Sequence, residues 1–366
     1  MESKLVPIKI RPNGAIIVDD SIRIDGDDYE GVDANINVAI YSHFHDDHFN
    51  DFEQAVGSCS RIYMTPETRA VAMAIFSQSD SNWIESRKNV MDVPINQEFE
   101  EDINGKKFKI KLLNSNHILG SCQILIKTDE YSVLYSSDFM FKGTVTDEFL
   151  NSVKNVDYLI LDSSHGLHSR NQKFDSPSIA KEKILKIAKE VTENKKGLII
   201  RAHSGTMQKV MHWLDSEIDP DIPFLASEKE AKIAEVYSKF NFPIRNIEND
   251  EKWEQLYTSN HPFLRFISLG SGYLQCEITE PSVSSIRIGS SSKSNDGTPT
   301  NMHVVNIQEH ADIDEVSMYV AKIAPKNVII DNSNRQDNPD RAVQIKNEIE
   351  KIMPNTYLLP VNYLQK

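Results

Sequence analysis

A chain of 366 residues with 39% hydrophobic and 26% charged residues has the composition of a globular protein, with room for one large domain or two. No apolar run approaches the roughly 20 residues of a membrane span, the first residues lack a secretory pattern, and the three cysteines form no Cys-x-x-Cys pair, so a cytoplasmic protein without a membrane partner is expected. The net charge of −14 argues modestly against nucleic-acid binding by the whole surface, without excluding it, since a local basic groove or bound cations can supply positive charge.

Strands are expected over 15–18, 22–24 and 38–41, the last running straight into a histidine cluster. Thr65 caps a helix over 66–76, with Pro66 at the tolerated first position. Residues 107–113 largely alternate polar and apolar side chains, the period of a half-buried strand. Strands over 123–127 and 131–135 flank the polar turn at 128–130, and another follows over 158–161. Beyond residue 166 the helices lengthen. Ser176-Pro177 opens one whose Ala180, Ile184, Ile187, Ala188 and Val191 share a face. A strand over 198–200 leads into a helix over 206–214, and Ser227 with Glu230 spells a capping box for the next helix. Residues 284–300 are loop-rich and suggest a return crossing between domains. The tail reads as a strand at 304–305, a helix capped by Asp312 with Glu315, a strand over 328–330 and a helix opened by Asn338-Pro339. Interspersed strands and helices make α/β layering the expected class.

The chemistry concentrates in His43-Phe44-His45-Asp46-Asp47-His48. Alternate residues of an extended segment point the same way, so His43 and His45 can grip one ion. Asp47 and His48 lie past the strand end and can turn toward a second. Imidazole and carboxylate donors suit zinc, with manganese or iron as alternatives. His117 and Asp138 follow later strands and can complete the set, Asp138 as a bridge between two ions.

In this order the residues resemble the metallo-β-lactamase superfamily: Asp25 resembles its first motif, 43–48 the second, His117 the third and Asp138 the fourth. The stretch around Asp162 resembles a signature of the β-CASP nucleases, as do Gly197–Val210 and the Glu309-His310-Ala311-Asp312 element. The resemblance implies an αββα sandwich over 1–166 and 291–366, interrupted by an α/β cap over 167–290. It implies two Zn(2+) ions, or Mn(2+), with His43, His45 and His117 on one, Asp47 and His48 on the other, and Asp138 shared. It also implies that Asp162 holds His310, and that His310 faces the scissile phosphate. Asn332 stands where RNA-cleaving relatives carry histidine, so the second ion loses an imidazole: that site is weaker, or Asp331 or water fills the vacancy. His165, Arg201 and His203 are candidate substrate contacts.

The expected activity is metal-assisted hydrolysis of nucleic-acid phosphodiesters, with RNA favoured over single-stranded DNA by Ala311-Asp312 and mRNA processing or decay as the setting. The alternatives are a DNA exonuclease of the same family, a small-molecule thioesterase or lactonase on the same metal core, and a noncatalytic nucleic-acid-binding subunit.

Overall fold

A computed structural model describes residues 7–11, 14–26, 36–76, 88–162, 174–269, 284–289, 302–333 and 341–359. The chain divides into two compact units: Met1–Met73 with Ser77–Arg170 and His310–Lys366, and Asn171–Glu309 with Ala74–Phe76.

The first unit opens with β1 (Ile8–Ile10), β2 (Ile16–Val18), β3 (Ile22–Ile24), β4 (Val38–Ile40), β5 (Arg61–Met64) and β6 (Val90–Asp92). These form one sheet in sequence order, antiparallel up to β3 and parallel from there on. Then come β7 (Glu98–Ile103), β8 (Lys106–Asn114), β9 (Cys122–Lys127), β10 (Ser132–Tyr135) and β11 (Tyr158–Leu161). The chain leaves for the second unit, with β12 (Gly197–Ala202), β13 (Phe224–Ala226), β14 (Ile247–Asn249), β15 (Phe263–Ser268), β16 (Ser284–Ile288) and β17 (Met302–Val305), and returns with β18 (Asn327–Asp331) and β19 (Thr356–Leu359). The second sheet of the first unit runs β19-β18-β11-β10-β9-β8-β7.

Period-two burial explains why the two sheets of the first unit face each other. Ile22 and Ile24 of β3, Val38 and Ile40 of β4, Phe108, Ile110 and Leu112 of β8, and Ile124 and Ile126 of β9 share one apolar cluster. The alternate residues Leu113, Leu125, Leu134 and Leu159 turn to the opposite face of the second sheet, where Val316, Val320 and Ile323 of the helix Ile313–Ile323 cover them. On the outer face of the first sheet, Arg23 pairs with Asp51 beside the helix Phe52–Ser58. The first unit is therefore two sheets packed face to face with helices outside, a mixed α/β arrangement.

In the second unit every recorded strand pair is parallel, in the order β14-β13-β15-β12-β16-β17. The helices Pro177–Glu193 and Thr206–Asp215 pack Ala180, Ile184, Val210 and Leu214 onto Leu198, Ile200 and Phe266. The half-buried Arg245 donates to the Asp215 carboxylate and to the carbonyls of Asp215, Ile218, Asp219 and Ile222, which tie off the end of the second of these helices.

Two differences from the sequence reading have local causes. The inserted unit runs to Glu309 rather than stopping near residue 290, because Met302–Val305 pairs with β16 as an edge strand instead of opening the tail. The Ser227 hydroxyl accepts from the Glu230 backbone N–H, but the Glu230 carboxylate turns to Ser204 and Gln208, so the box is only half formed. Asn338 and Pro339 lie outside the described residues. Among the described residues no helix is long and apolar enough to cross a membrane.

Candidate metal centre

The site gathers at strand ends of the first unit. Asp25 follows β3, the histidine segment follows β4, His117 follows β8, Asp138 follows β10 and Asp162 follows β11. The segment after β4 stays extended because Tyr41 N–H donates to Tyr63 and Cys122 N–H to the Ser42 carbonyl. It then winds into the single turn Asp46–Phe49, whose first-turn aspartates suit a helix start. Alternation along the extended part points His43 and His45 the same way; the turn brings His48 back beside His43, with ring centres 4.3 Å apart.

His117 sits in a tight loop. Ser121 Oγ accepts from the N–H groups of His117 and Ile118 and donates to the Ile118 carbonyl. Gly120, at φ 79°, packs so closely on Thr68 that a Cβ would meet the Thr68 backbone nitrogen at 2.7 Å. Two non-glycine residues at the centre, Asp25 and Ser137, also take left-handed backbone at φ 46° and 50°. Such conformations persist only where surrounding contacts enforce them, and they concentrate at functional sites.

His43 Nε2 lies 3.1 Å from His45 Nδ1, and His117 Nε2 lies 3.2 Å from the same atom. Asp138 Oδ2 stands 3.6 Å from both His43 Nε2 and His117 Nε2. Four donors about 2.0–2.1 Å from a common ion would stand about 3.3–3.4 Å apart in a tetrahedron. The measured separations fit, and His43, His45, His117 and Asp138 form a group that could hold a metal ion. Burial, and then the neighbouring His48 and His45, push His43 well below its ordinary pKa, leaving it in the neutral form that ligates.

A second group consists of His48, Asp138 and Asp162. His48 Nδ1 faces Asp25 Oδ2 at 2.9 Å, which leaves Nε2 directed inward. That atom is buried without a hydrogen-bond partner, 3.7 Å from Asp138 Oδ2 and 3.9 Å from Asp47 Oδ2. Burial lowers the His48 pKa, but Asp47, the bond to Asp25 and Asp138 more than offset this and raise it to about 10. The pocket thus favours a positive charge where His48 Nε2 points. Asp25 also accepts from Ser42 N–H at 2.7 Å and Ser42 Oγ at 2.5 Å, so one carboxylate braces the ligand segment and fixes a ligand ring.

His310 joins the cluster with Nδ1 3.6 Å from Asp138 Oδ1 and its ring 4.8 Å from that of His117. The Ala311 N–H donates to the Phe139 carbonyl and anchors that segment one residue from Asp138. Asp162 stands with His48 and Asp138, a ligand-like place in addition to the His310-holding role expected of it. Asp331 is buried at the end of β18 and accepts from Ser333 N–H; Asn332 N–H donates to Leu359. Arg201 and His203 belong to the second unit, the first buried on β12 and the second exposed, and His165 lies outside the described residues. The sequence reading missed Ser42 and Ser137, whose hydroxyls lie 3.0 and 3.4 Å from His43 Nδ1; adjacency to His43 and Asp138 was the available signal.

Fold and site together define a mixed α/β protein with two adjoining His/Asp groups able to take up a metal ion. No family model and no curated protein matches the chain. It is similar in fold to the crystal structure of a protein of unknown function from Enterococcus faecalis V583, with a TM-score of 0.57 and 13% identity over 97% of this chain and 96% of that one.

Proposed function

We propose that the chain is a two-metal phosphodiesterase acting on nucleic acid, a member of the metallo-β-lactamase superfamily of the β-CASP type, with the second unit as its inserted domain. One observation carries the reading: the two donor groups meet at a single carboxylate, Asp138, as a bridged ion pair requires. His43, His45, His117 and Asp138 would hold one ion, and His48, Asp138 and Asp162, with Asp47 alongside, the other. Divalent ions held there supply Lewis-acid polarisation of a phosphoryl oxygen and lower the pKa of water from about 15.7 to about 7.

The chain's own residues do the rest. Asp25 holds the Nδ1 proton of His48, so Nε2 is the nitrogen left to give its lone pair to an ion that displaces the proton there. Ser42 and Ser137 fix the His43 ring. His310, with Nδ1 3.6 Å from the other oxygen of the same carboxylate, would donate the proton that the leaving oxygen takes. RNA is the favoured substrate on the sequence of the Ala311-Asp312 element. The test is incubation of metal-loaded protein with end-labelled single-stranded RNA and DNA, beside an Asp47→Ala/His48→Ala control. Cleavage by the wild type alone is expected; cleavage of neither polymer, or equal cleavage by the control, removes the proposal.

A further inference from the structure

We infer that the two donor groups discriminate between ions: the three-histidine group retains zinc, while the His48 group is an exchangeable position that manganese occupies when zinc is limiting. This rests on reading the two groups as a pair of ion positions that share Asp138.

The first group offers three nitrogens and one oxygen, with donor separations of 3.1 to 3.6 Å where His43 and His117 meet His45 and Asp138. His43, His117 and Asp138 are buried and His45 is half-buried, so an ion there is shielded from water and from competing ligands. The second group has a different composition. Among the described residues it offers one nitrogen and two oxygens. A further carboxylate, Asp47 Oδ2, lies 3.9 Å from His48 Nε2 on a side chain that is 49% exposed. The end of β18, at Asp331 and Asn332, carries no imidazole that could join this group.

Imidazole-rich tetrahedral sites favour zinc, whereas carboxylate, amide oxygen and water suit manganese. Zinc binds more tightly than manganese at almost any such site, so manganese is not preferred outright. The inference is that zinc's advantage is large at the first group and small at the second. The second group also shares the negative charge of Asp138 with the first ion, which weakens its hold further. The buried, unpartnered His48 Nε2 makes it an ion position rather than a patch of acidic surface.

The test uses full-length protein stripped with chelator, reloaded with one equivalent of Zn(2+), then titrated with Mn(2+). Electron paramagnetic resonance of free Mn(2+) counts uptake, and metal analysis after dialysis counts retention. One equivalent of manganese should bind and then be lost on dialysis, with one of zinc retained. Asp162→Asn should abolish manganese uptake and keep the zinc, whereas His117→Ala should lose the retained zinc. Asp47→Asn, altering a half-exposed side chain, should weaken manganese uptake even if the buried Asp162 variant fails to fold. Two zinc equivalents retained alike, no manganese uptake by the one-zinc protein, or undiminished uptake in both Asp variants would overturn the inference. The counts are read without substrate: one zinc and one manganese bound, with neither RNA nor DNA cut, would support the metal assignment while removing the phosphodiesterase proposal.

Discussion

Asp25 carries three duties on one short side chain. It accepts from the backbone and hydroxyl of Ser42 and faces His48 Nδ1, all from a backbone at φ 46° that an aspartate tolerates better than most residues. An ion position depends on such a residue because an imidazole free to rotate or change tautomer offers its lone pair only part of the time. Asp25→Ala leaves a buried Ser42 N–H without its acceptor, which costs about 1–3 kcal/mol, and frees the His48 ring. We expect reduced resistance to urea together with about 10- to 100-fold weaker metal binding at the His48 position. Equilibrium dialysis that finds wild-type affinity at that position would sink the bracing role.

At the scale of elements, β3 is tied to both ends of the ligand segment by one buried network. Arg23 pairs with Asp51 at 2.7 Å and donates to Tyr41 Oη at 3.1 Å, while Tyr41 Oη donates to Asp51 at 2.7 Å. Tyr41 precedes His43 and Asp51 follows His48, so the network closes the loop that presents the ligands. Arg23→Met leaves the Asp51 carboxylate buried without its cation, at a cost of about 3–5 kcal/mol, whereas Arg23→Met with Asp51→Leu should recover much of that loss. Urea unfolding of the single and double variants decides this; a double variant no more stable than Arg23→Met would contradict the charge-pair account. This network also marks where the sequence stops being readable. The candidate ligands were legible because four of them lie within six consecutive residues at a strand end, and β8 because its residues alternate. Arg23 was not, since its partners lie far along the chain and nothing in Ile22-Arg23-Ile24 announces a buried cation. Capping was half legible: the Asp312 and Glu315 box forms fully, whereas Glu230 is drawn off by Ser204 and Gln208, contacts that only the tertiary fold creates.

For the whole molecule, the informative fact is that one unit interrupts the other in sequence while, among the described residues, every donor of the two candidate metal groups belongs to the interrupted unit. The end of the insertion was misread because Met302–Val305 has no turn signal to separate it from the tail; only its pairing with β16 assigns it. The division can be probed at Gly197, where β12 begins opposite Phe263. A Cβ at Gly197 would overlap the Phe263 ring, and that ring is fully buried, so it has nowhere to move. Gly197→Ala should therefore cost about 1–3 kcal/mol through overpacking, and that loss falls on the second unit. Domains with their own cores unfold as units, so the variant should show an earlier thermal transition while dialysed protein below that transition keeps its full metal content. A single transition shifted as a whole, with metal released alongside it, would mean instead that the two units fold as one cooperative body.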